Sequence, residues 1–438
     1  MFTGRFINPP ISRIDVRLIG WDRNLIYSRE RNYLNRDALG KVSIVLILLS
    51  SMLVRSLGIP LVVAYTLASI SYSLFILYAF KMNCLKISVT TKSAILITII
   101  YLIIITNILI TPIQGEYTIS PLIRGTLIIT FTSLNLYLIP QQLNSHDFFS
   151  VLSRISAITV LISLPTAILD SYSIFGYTIY AYEWNFNLPI PLFSNQIINP
   201  IQGPFNQPNI FGFVTSIALM GSLGEFRSQQ TKLLPTLLVL LNFLGSYLSG
   251  SRAAFLFSII GATMFFIYPR IGPAVARLSS TLLLLSVIIF TIIYSGIIPL
   301  PDQLPFVNLE GRRGLWATAV EAIKTRPIIG FGPGDQVDHL RPFYNGIRAQ
   351  STHNSFLRMF LTTGIVGGVS YILLTYHAMI SSVSNIETDA QSSVAAAIIV
   401  LVLHQTFAGF AIFASVGVSV YAVISAVVFG YAIRQVID

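Results

Sequence analysis

The chain has 438 residues, of which 54% are hydrophobic and only 10% are charged, and its net charge is +10. Ordinary soluble domains carry roughly 25% charged residues, so this composition excludes a soluble globular protein. A lipid bilayer can cover an apolar surface, provided that each helix satisfies its own backbone hydrogen bonds. The single cysteine, Cys84, also excludes a disulfide framework and a multi-cysteine metal site.

The first segment, residues 1–41, is polar and carries eight Lys or Arg residues against four Asp or Glu residues. It shows no cleavable signal peptide, so we expect the first apolar helix to serve as its own anchor. The remaining basic residues lie beside apolar stretches, which indicates a topology signal rather than a nucleic-acid-binding surface. We therefore expect a cytoplasmic N-terminal segment and no nucleic-acid partner.

Twelve apolar stretches follow, at least ten of them close to the roughly 20 residues that a transmembrane helix needs. They predict an all-α polytopic membrane protein with about twelve transmembrane helices. Nine of the helices fall within residues 42–298 and three within residues 355–438. In chain order, the predicted spans are 42–54, 59–80, 94–112, 121–139, 150–169, 208–224, 233–249, 253–268, 278–298, 355–378, 393–412 and 415–433.

The distribution of charge predicts the orientation of these helices. If the N-terminus is inside, the cytoplasmic segments hold 17 Lys or Arg and 9 Asp or Glu, and the outer segments hold 10 and 8. Cytoplasmic segments of membrane proteins carry an excess of Lys and Arg. We therefore predict that both termini are cytoplasmic.

Two long loops then lie on the outer side. Residues 170–207 are rich in aromatic residues and asparagine, and residues 299–354 hold eleven of the forty-four charged residues. Long loops between packed elements are usually functional or disordered, and so many aromatic residues argue against disorder. In the second loop, the spacing of apolar residues predicts a short helix from Arg312 to Thr325, which Pro327 ends.

Arg252 lies in the tightest predicted hairpin, between two strongly apolar helices, and the sequence offers no nearby acid to pair with it. Ionisable residues at membrane depth are functional candidates, and an anionic substrate would suit this cation. The alternative is an arginine that snorkels to the lipid headgroups from a helix end.

Arg312 and Arg313 open the predicted loop helix, and His353 lies where the loop meets the tenth span. Guanidinium groups match phosphate oxygens bidentately, although this pair could instead bind Glu310 or anionic headgroups. An imidazole has the ordinary pKa best suited to proton abstraction near neutrality, although a lone histidine is more often structural. Unlike His404, which we expect to be packed within a helix, His353 lies at a membrane–water boundary after a polar loop.

Asp335 and Asp338 could be regarded as metal ligands. Two acids at this spacing are weak evidence, because no further carboxylate or histidine cluster joins them. A solvated turn is the favoured interpretation, and we predict no metal site.

Four sequence blocks, in this order, resemble the O-antigen ligase and polymerase family of membrane glycosyltransferases. One departure is Ala253, where the family often has glycine. Another is the doubled arginine, and here the spacing to Trp316 favours Arg312 over Arg313. The blocks are GPFNQPN at 203–209, SGSRAA at 249–254, GRRGLW at 311–316 with PIIGFG at 327–332, and THNSF at 352–356 with GIVG at 364–367.

The resemblance implies an inverting transfer that uses neither metal nor cofactor. The donor would be a glycan on a polyprenyl pyrophosphate, and the acceptor a hydroxyl on a glycolipid, a second glycan or a protein. The reaction would occur on the extracytoplasmic side of the inner membrane, in a catalytic loop at 299–354 before the last three helices, on a GT-C-like fold. The implied catalytic residues are His353, Arg252 and Arg312, and the substrate-binding candidates are Arg313, Arg348, Asn354, Asn206, Asn209 and Trp316.

Two other classes of protein remain open at this point. A transporter or flippase for lipid-linked glycans would suit twelve spans, but such proteins bind substrate near the midplane on broken helices, often in inverted repeats. This sequence shows no such repeat and concentrates its polar residues in an outer loop. A receptor with a ligand-binding loop would explain that loop but not the set of arginines and histidine.

Overall fold

The computed structural model describes residues 40–54, 60–81, 89–110, 119–174, 177–182, 198–298, 312–344, 351–384, 386–414 and 416–434, and it is mostly helical. The helices are α1 (Gly40–Leu53), α2 (Leu61–Lys81), α3 (Thr91–Ile110), α4 (Ile119–Ser133), α5 (Ile139–Gln142), α6 (Ser145–Ser163), α7 (Pro208–Ser228), α8 (Leu233–Leu248), α9 (Arg252–Tyr294), α10 (Arg312–Thr325), α11 (Gln336–Leu340), α12 (Ser355–Ser384), α13 (Asp389–Phe407) and α14 (Val420–Ile433). A π-helical turn joins α4 to α5, and short 3-10 turns follow α6 and α11.

Eight helical stretches of the described part are long and apolar enough to cross a membrane, and three shorter apolar helices accompany them. Their exposed faces carry large hydrophobic side chains, as lipid contact requires. Most of α7 and α13 is buried, so these two helices lie at the centre of the bundle. A polytopic helical membrane protein is therefore confirmed, whereas the number of twelve spans and their orientation stay predictions.

The longest helix, α9, consists of two helices joined at Gly272, which has φ 73° and is flanked by Pro269 and Pro273. The hydroxyls of Tyr268 and Ser280 are 3.1 Å apart. Twelve residues of straight helix would separate them by about 18 Å, so the chain folds back at Gly272. The two halves, residues 252–271 and 273–294, correspond to the eighth and ninth predicted spans.

The first outer loop contains a small antiparallel β-hairpin that the all-α prediction missed. Strand β1 (Ser171–Ile174) pairs with β2 (Tyr177–Tyr180), and Ser171 lies opposite Tyr180. Strands of four residues are too short for their alternating pattern to be distinguished from an irregular aromatic loop. Residues 183–197 of the same loop lie outside the described part.

The last two predicted spans are interrupted where they meet. Helix α13 ends at Phe407 and α14 begins at Val420. The described residues between them are almost all buried but not helical, and we call residues 408–414 and 416–419 the buried segment. Non-helical backbone between membrane helices is tolerated only where protein or water satisfies its polar groups, and side chains of α4 and α12 do so here.

At the opposite end of the bundle, a buried ion pair ties α6 to α7. Arg154 donates to both carboxylate oxygens of Glu225, at 2.8 and 3.1 Å, and Glu225 is almost fully buried. Ser153 and Gln229 donate to the same carboxylate. A buried carboxylate needs this degree of pairing, because removing it from water is costly.

Candidate active site

His353 lies in a short turn, residues 351–354, between the outer loop and α12. Its φ is +48°, and it is the one non-glycine residue in the described part of the chain with a positive φ. This backbone region costs roughly 1–2 kcal/mol for a residue that has a Cβ atom. The turn must therefore be held in place by its neighbours.

Two helices of the outer loop supply that support through Thr352. The indole N–H of Trp316, on α10, donates to the backbone carbonyl of Thr352 at 2.7 Å. The amide of Gln336, on α11, donates to the Thr352 hydroxyl oxygen at 2.7 Å, and that hydroxyl donates to the carbonyl of Asn354 at 3.1 Å. Trp316 and Thr352 are fully buried, so these hydrogen bonds are shielded from water.

Asn354 fastens the same turn to the helix bundle. Its side-chain oxygen accepts from the N–H of Leu357 at 3.0 Å, which caps the start of α12. Its amide nitrogen donates to the carbonyl of Thr406 at 3.0 Å and lies 3.3 Å from the hydroxyl of Thr291. These protein contacts occupy the side chain, so the geometry favours a positioning role for Asn354 over direct substrate contact.

The electrostatic setting of His353 keeps its imidazole uncharged. The side chain is half-buried, and its pKa is lowered to about 4, first by burial and then by the positive charges of Arg312 and Arg358. The imidazole is therefore neutral at pH 7 and retains a nitrogen lone pair. A neutral imidazole can take a proton from a hydroxyl that approaches it.

The structure brings Arg312 into the surroundings of His353. Arg312 is the first residue of α10 and is half-buried, whereas Arg313 is exposed. Arg312 lies close enough to act on the pKa of His353, and Arg313 is not among the groups that do so. This placement favours Arg312 as the arginine of the site. The predicted bounds of this helix, Arg312 to Thr325, are confirmed.

The PIIGFG block at 327–332 forms a backbone clasp on α12. Helix α12 is interrupted at Gly364, whose φ is +65°. The N–H groups of Phe331 and Gly332 donate to carbonyls of α12 at 2.9 Å, and the N–H of Ile365 donates to the carbonyl of Pro327 at 2.7 Å. From α3, Asn107 donates to the carbonyl of Ile329 at 2.7 Å. The two glycine-containing blocks are thus hydrogen-bonded to each other.

Arg252 lies at the same end of the bundle as His353. It is exposed and begins α9, after Ser251 caps the helix. About five residues further along α9, the ring centroid of Phe257 lies 5.9 Å from that of Phe407, which follows the Thr406 carbonyl bound by Asn354. No described contact joins Arg252 directly to His353; Arg252 is exposed and His353 is half-buried.

Asn206 and Asn209 also lie at this end. Both are exposed, just before and at the start of α7. The segment before them is tied to the turn that precedes Arg252, because the N–H of Ile201 donates to the carbonyl of Leu248 at 2.9 Å. Arg348, the remaining substrate-binding candidate, lies outside the described residues.

The two acids of the GDQVD sequence have other partners. Asp335 caps α11 and lies 3.9 Å from Arg124, and Asp338 pairs with Arg341 at 3.0 Å. Among the described residues, no group of three or more His, Cys, Asp or Glu side chains is placed to hold a metal ion. The two acids thus act as a helix cap and as an ion-pair partner at the start of α11.

Sequence reasoning missed two residues that shape the site. Gln336 carries no charge and belongs to no recognised motif, so nothing in the sequence links it to Thr352. Arg358 was visible as a cation one turn after His353, but its partners are backbone carbonyls of the buried segment. A backbone carbonyl belongs to every residue, so the sequence does not show which carbonyl a side chain will bind. Hydropathy also assigned most of that segment to helices.

The arrangement defines a class of protein: a polytopic helical membrane protein with arginine and imidazole groups at one end of its bundle. The family model described as O-antigen ligase matches residues 237–372, from α8 into α12. The match contains Arg252, Arg312 and His353, and it confirms the resemblance of the chain to the O-antigen ligase and polymerase family. The match covers less than a third of the chain and shows a likeness over that part alone. A comparison with curated proteins found no match.

Proposed function

We propose that the protein transfers or polymerises a glycan from a polyprenyl-pyrophosphate donor onto an acceptor hydroxyl on the extracytoplasmic face of the inner membrane. The observation that carries the proposal is the His353 turn. A strained, half-buried and neutral imidazole is held beside Arg312, at the end of the bundle where the outer loop packs. The O-antigen ligase match over the same residues supports it.

In the proposed reaction, the acceptor oxygen attacks the anomeric carbon of the donor as its proton passes to His353. The bond between that carbon and the pyrophosphate oxygen breaks, and attack from the opposite side inverts the anomeric configuration. Negative charge develops on the departing pyrophosphate, and cations placed there stabilise the transition state. Arg312 and Arg252 supply these cations from side chains, in a scheme that needs no metal.

The remaining candidates take supporting parts in this proposal. Arg313, Arg348, Asn206 and Asn209 would contact the glycan or its phosphates, whereas Trp316 and Asn354 would hold the His353 turn. The polyprenyl tail would lie against the lipid-exposed helices, whose outer faces are rich in Leu and Ile.

The test is transfer by purified protein in lipid nanodiscs that contain a polyprenyl-pyrophosphate-linked glycan and a glycolipid acceptor. We expect Arg252→Ala, Arg312→Ala and His353→Ala to abolish transfer while reaching wild-type levels in the membrane. Lys324→Ala is the matched control, because Lys324 is a basic residue of α10 that is exposed and pairs only with the exposed Glu321. Full activity of all three site variants would contradict the proposal.

A deletion strain separates transfer from transport of the same lipid-linked glycan. Loss of a transferase leaves the donor on the outer leaflet, whereas loss of a flippase leaves it on the inner leaflet. The surface glycans of the same strain separate two forms of transfer. Loss of all polymer from the lipid core indicates a ligase, and retention of a single repeat unit indicates a polymerase.

A further inference from the structure

The buried segment lies beside the His353 turn, and its backbone is satisfied by side chains of other helices. Carbonyls buried between membrane helices cost several kcal/mol each when they lack a donor, so each of these hydrogen bonds helps to fix the segment. Four side chains donate to backbone carbonyls of the segment. Ser355 donates to Ala408 (2.8 Å), Thr132 to Ile412 (3.3 Å) and Asn135 to Gly417 (2.7 Å). Arg358 donates to both Gly409 (2.9 Å) and Ala414 (2.5 Å).

Arg358 differs from the other donors in two ways. It bridges two carbonyls five residues apart with one rigid guanidinium group, which constrains the shape of the segment more than a single hydroxyl can. It is also the one charged donor among them, and its own N–H binds the carbonyl of Asn354 at 3.0 Å. Arg358 is thus joined to the His353 turn at one end and to the buried segment at the other.

The segment and the turn also lie close together at Gly409. A Cβ atom at Gly409 would lie 3.4 Å from Nη1 of Arg358 and 3.7 Å from Oγ of Ser351. The same Ser351 oxygen accepts from the N–H of His353 at 3.3 Å. Gly409 therefore accepts from Arg358 and lies close to Ser351, which accepts from the backbone of His353.

We propose that Arg358 is a positioning residue of the transfer reaction, which holds the buried segment against the His353 turn and keeps a fixed positive charge near the imidazole. The inference rests on the proposed function, because Arg358 is argued to act through His353 and His353 is the proposed base. Nothing in the arrangement requires Arg358 to touch the donor or the acceptor.

The charges around the imidazole make this role testable through pH. The described charged groups that act on His353 are both positive, Arg312 on α10 and Arg358 on α12. The other elements packed on the turn contribute uncharged groups, Gln336 from α11 and the Thr406 carbonyl from α13. Removing one positive charge must raise the pKa of His353, so that more of the imidazole is protonated, and inactive as a base, in mild acid.

The experiment compares transfer rates between pH 4.5 and 8 for wild type and three variants in nanodiscs. Arg358→Met should move the acid limb of the profile upward by roughly half to one pH unit. Arg358→Lys keeps the charge but cannot bridge two carbonyls, so its rate should fall while its acid limb stays in place. Thr132→Val is the matched control, because it removes one hydrogen bond to the same segment without changing any charge. A normalised Arg358→Met profile that superimposes on the wild-type profile would overturn the inference.

A second measurement does not depend on transfer activity. Diethylpyrocarbonate modifies neutral imidazoles, and mass spectrometry of the peptide that contains His353 gives its rate of modification at each pH. In Arg358→Met, the ratio of the rate at pH 5.5 to that at pH 8 should fall below the wild-type ratio. If Arg358→Met does not reach the membrane, Arg358→Gln offers a second uncharged side chain. An unchanged ratio rejects the role of Arg358, whereas an active His353→Gln enzyme rejects the proposed function instead.

Discussion

Thr352 is the residue through which the outer loop controls the conformation of His353. Its carbonyl accepts from Trp316 and its hydroxyl from Gln336, so α10 and α11 act on the same turn. A φ of +48° is uncommon for a non-glycine residue, so the backbone preference of His353 itself does not stabilise this conformation. The geometry of the proposed base is therefore a property of its neighbours, and a change that never touches substrate can still alter transfer.

Replacing Trp316 with Phe tests whether the single hydrogen bond from Trp316 to Thr352 affects the conformation of His353. The substitution leaves an aromatic ring in place but strips the donor from a buried carbonyl, at a cost of about 1–3 kcal/mol. We expect a roughly tenfold lower transfer rate, which corresponds to about 1.4 kcal/mol, with the amount of membrane-inserted protein largely kept. The measurement is the initial transfer rate in nanodiscs.

Tyr294→Phe serves as the control for Trp316→Phe. Tyr294 packs in the same aromatic cluster, with its ring centroid 4.4 Å from that of Phe290, and the variant keeps that ring. It should transfer at close to the wild-type rate. A Trp316→Phe enzyme as active as Tyr294→Phe would show that the indole hydrogen bond does not set the geometry of the site.

The sequence identified the chemical types of residue at this scale but not their contacts. Arg312 and His353 stood out because charge and imidazole are costly near a membrane, and the structure brings them together. Trp316 was predicted to bind substrate, yet its indole donates to Thr352 inside the protein. Nothing in a sequence shows which carbonyl a buried donor will meet, since any residue can supply that carbonyl.

Between elements, the clasp of residues 327–332 on α12 couples the loop to the membrane helices. Gly330 has φ +71°, and a Cβ atom on it would lie 2.6 Å from the carbonyl oxygen of Leu361. A Cβ atom on Gly364 would lie 2.2 Å from the carbonyl oxygen of Ile328. Both contacts are with backbone, which cannot move aside as a flexible side chain can. The two glycines are thus required by a close approach of two chains.

Alanine at either position should therefore destabilise the protein. We expect Gly330→Ala and Gly364→Ala to lower the thermal midpoint of the purified protein by several degrees and to reduce transfer. Intrinsic fluorescence in detergent measures the midpoint. Gly314→Ala is the matched control, because Gly314 lies exposed on α10 with nothing within 4 Å of a Cβ atom. Alanine favours a helix by up to about 1 kcal/mol over glycine, so this variant should be as stable as wild type or more so.

Hydropathy predicted the elements well where helices are continuous and poorly where they are interrupted. It predicted α10 to its ends, because Pro327 and the following glycines mark the stop. Gly364 was predicted to lie within an uninterrupted span, and most of the buried segment was assigned to the ends of two spans, 393–412 and 415–433, with residues 413–414 between them. Both stretches are as apolar as a transmembrane helix. The backbone hydrogen bonds that a continuous helix would form are replaced by hydrogen bonds from residues distant in the chain.

For the whole molecule, the two ends of the bundle differ in chemical character. One end carries Arg252, Arg312 and His353, and the other carries the ion pair between the partly exposed Arg154 and the buried Glu225. The predicted orientation places the first end outside the cytoplasm, where a lipid-linked glycan would be used.

Cysteine labelling tests the orientation. After Cys84 is replaced by Ser, Glu321→Cys introduces a thiol on the exposed face of α10 and Gln230→Cys introduces one between α7 and α8. A membrane-impermeant maleimide should label position 321 in intact spheroplasts and position 230 only after lysis. Labelling in the reverse pattern would contradict cytoplasmic termini and place the proposed site on the wrong side of the membrane.

The buried segment has a consequence for how the protein is made. During synthesis from the N-terminus, α10, α11 and α12 emerge before α13 and the buried segment. The His353 turn nevertheless contacts the Thr406 carbonyl, and Arg358 donates to the carbonyls of Gly409 and Ala414. A nascent or truncated chain that ends after α12 would hold every proposed catalytic side chain without these three hydrogen bonds. We therefore expect such a truncated chain to be inactive in the proposed transfer reaction.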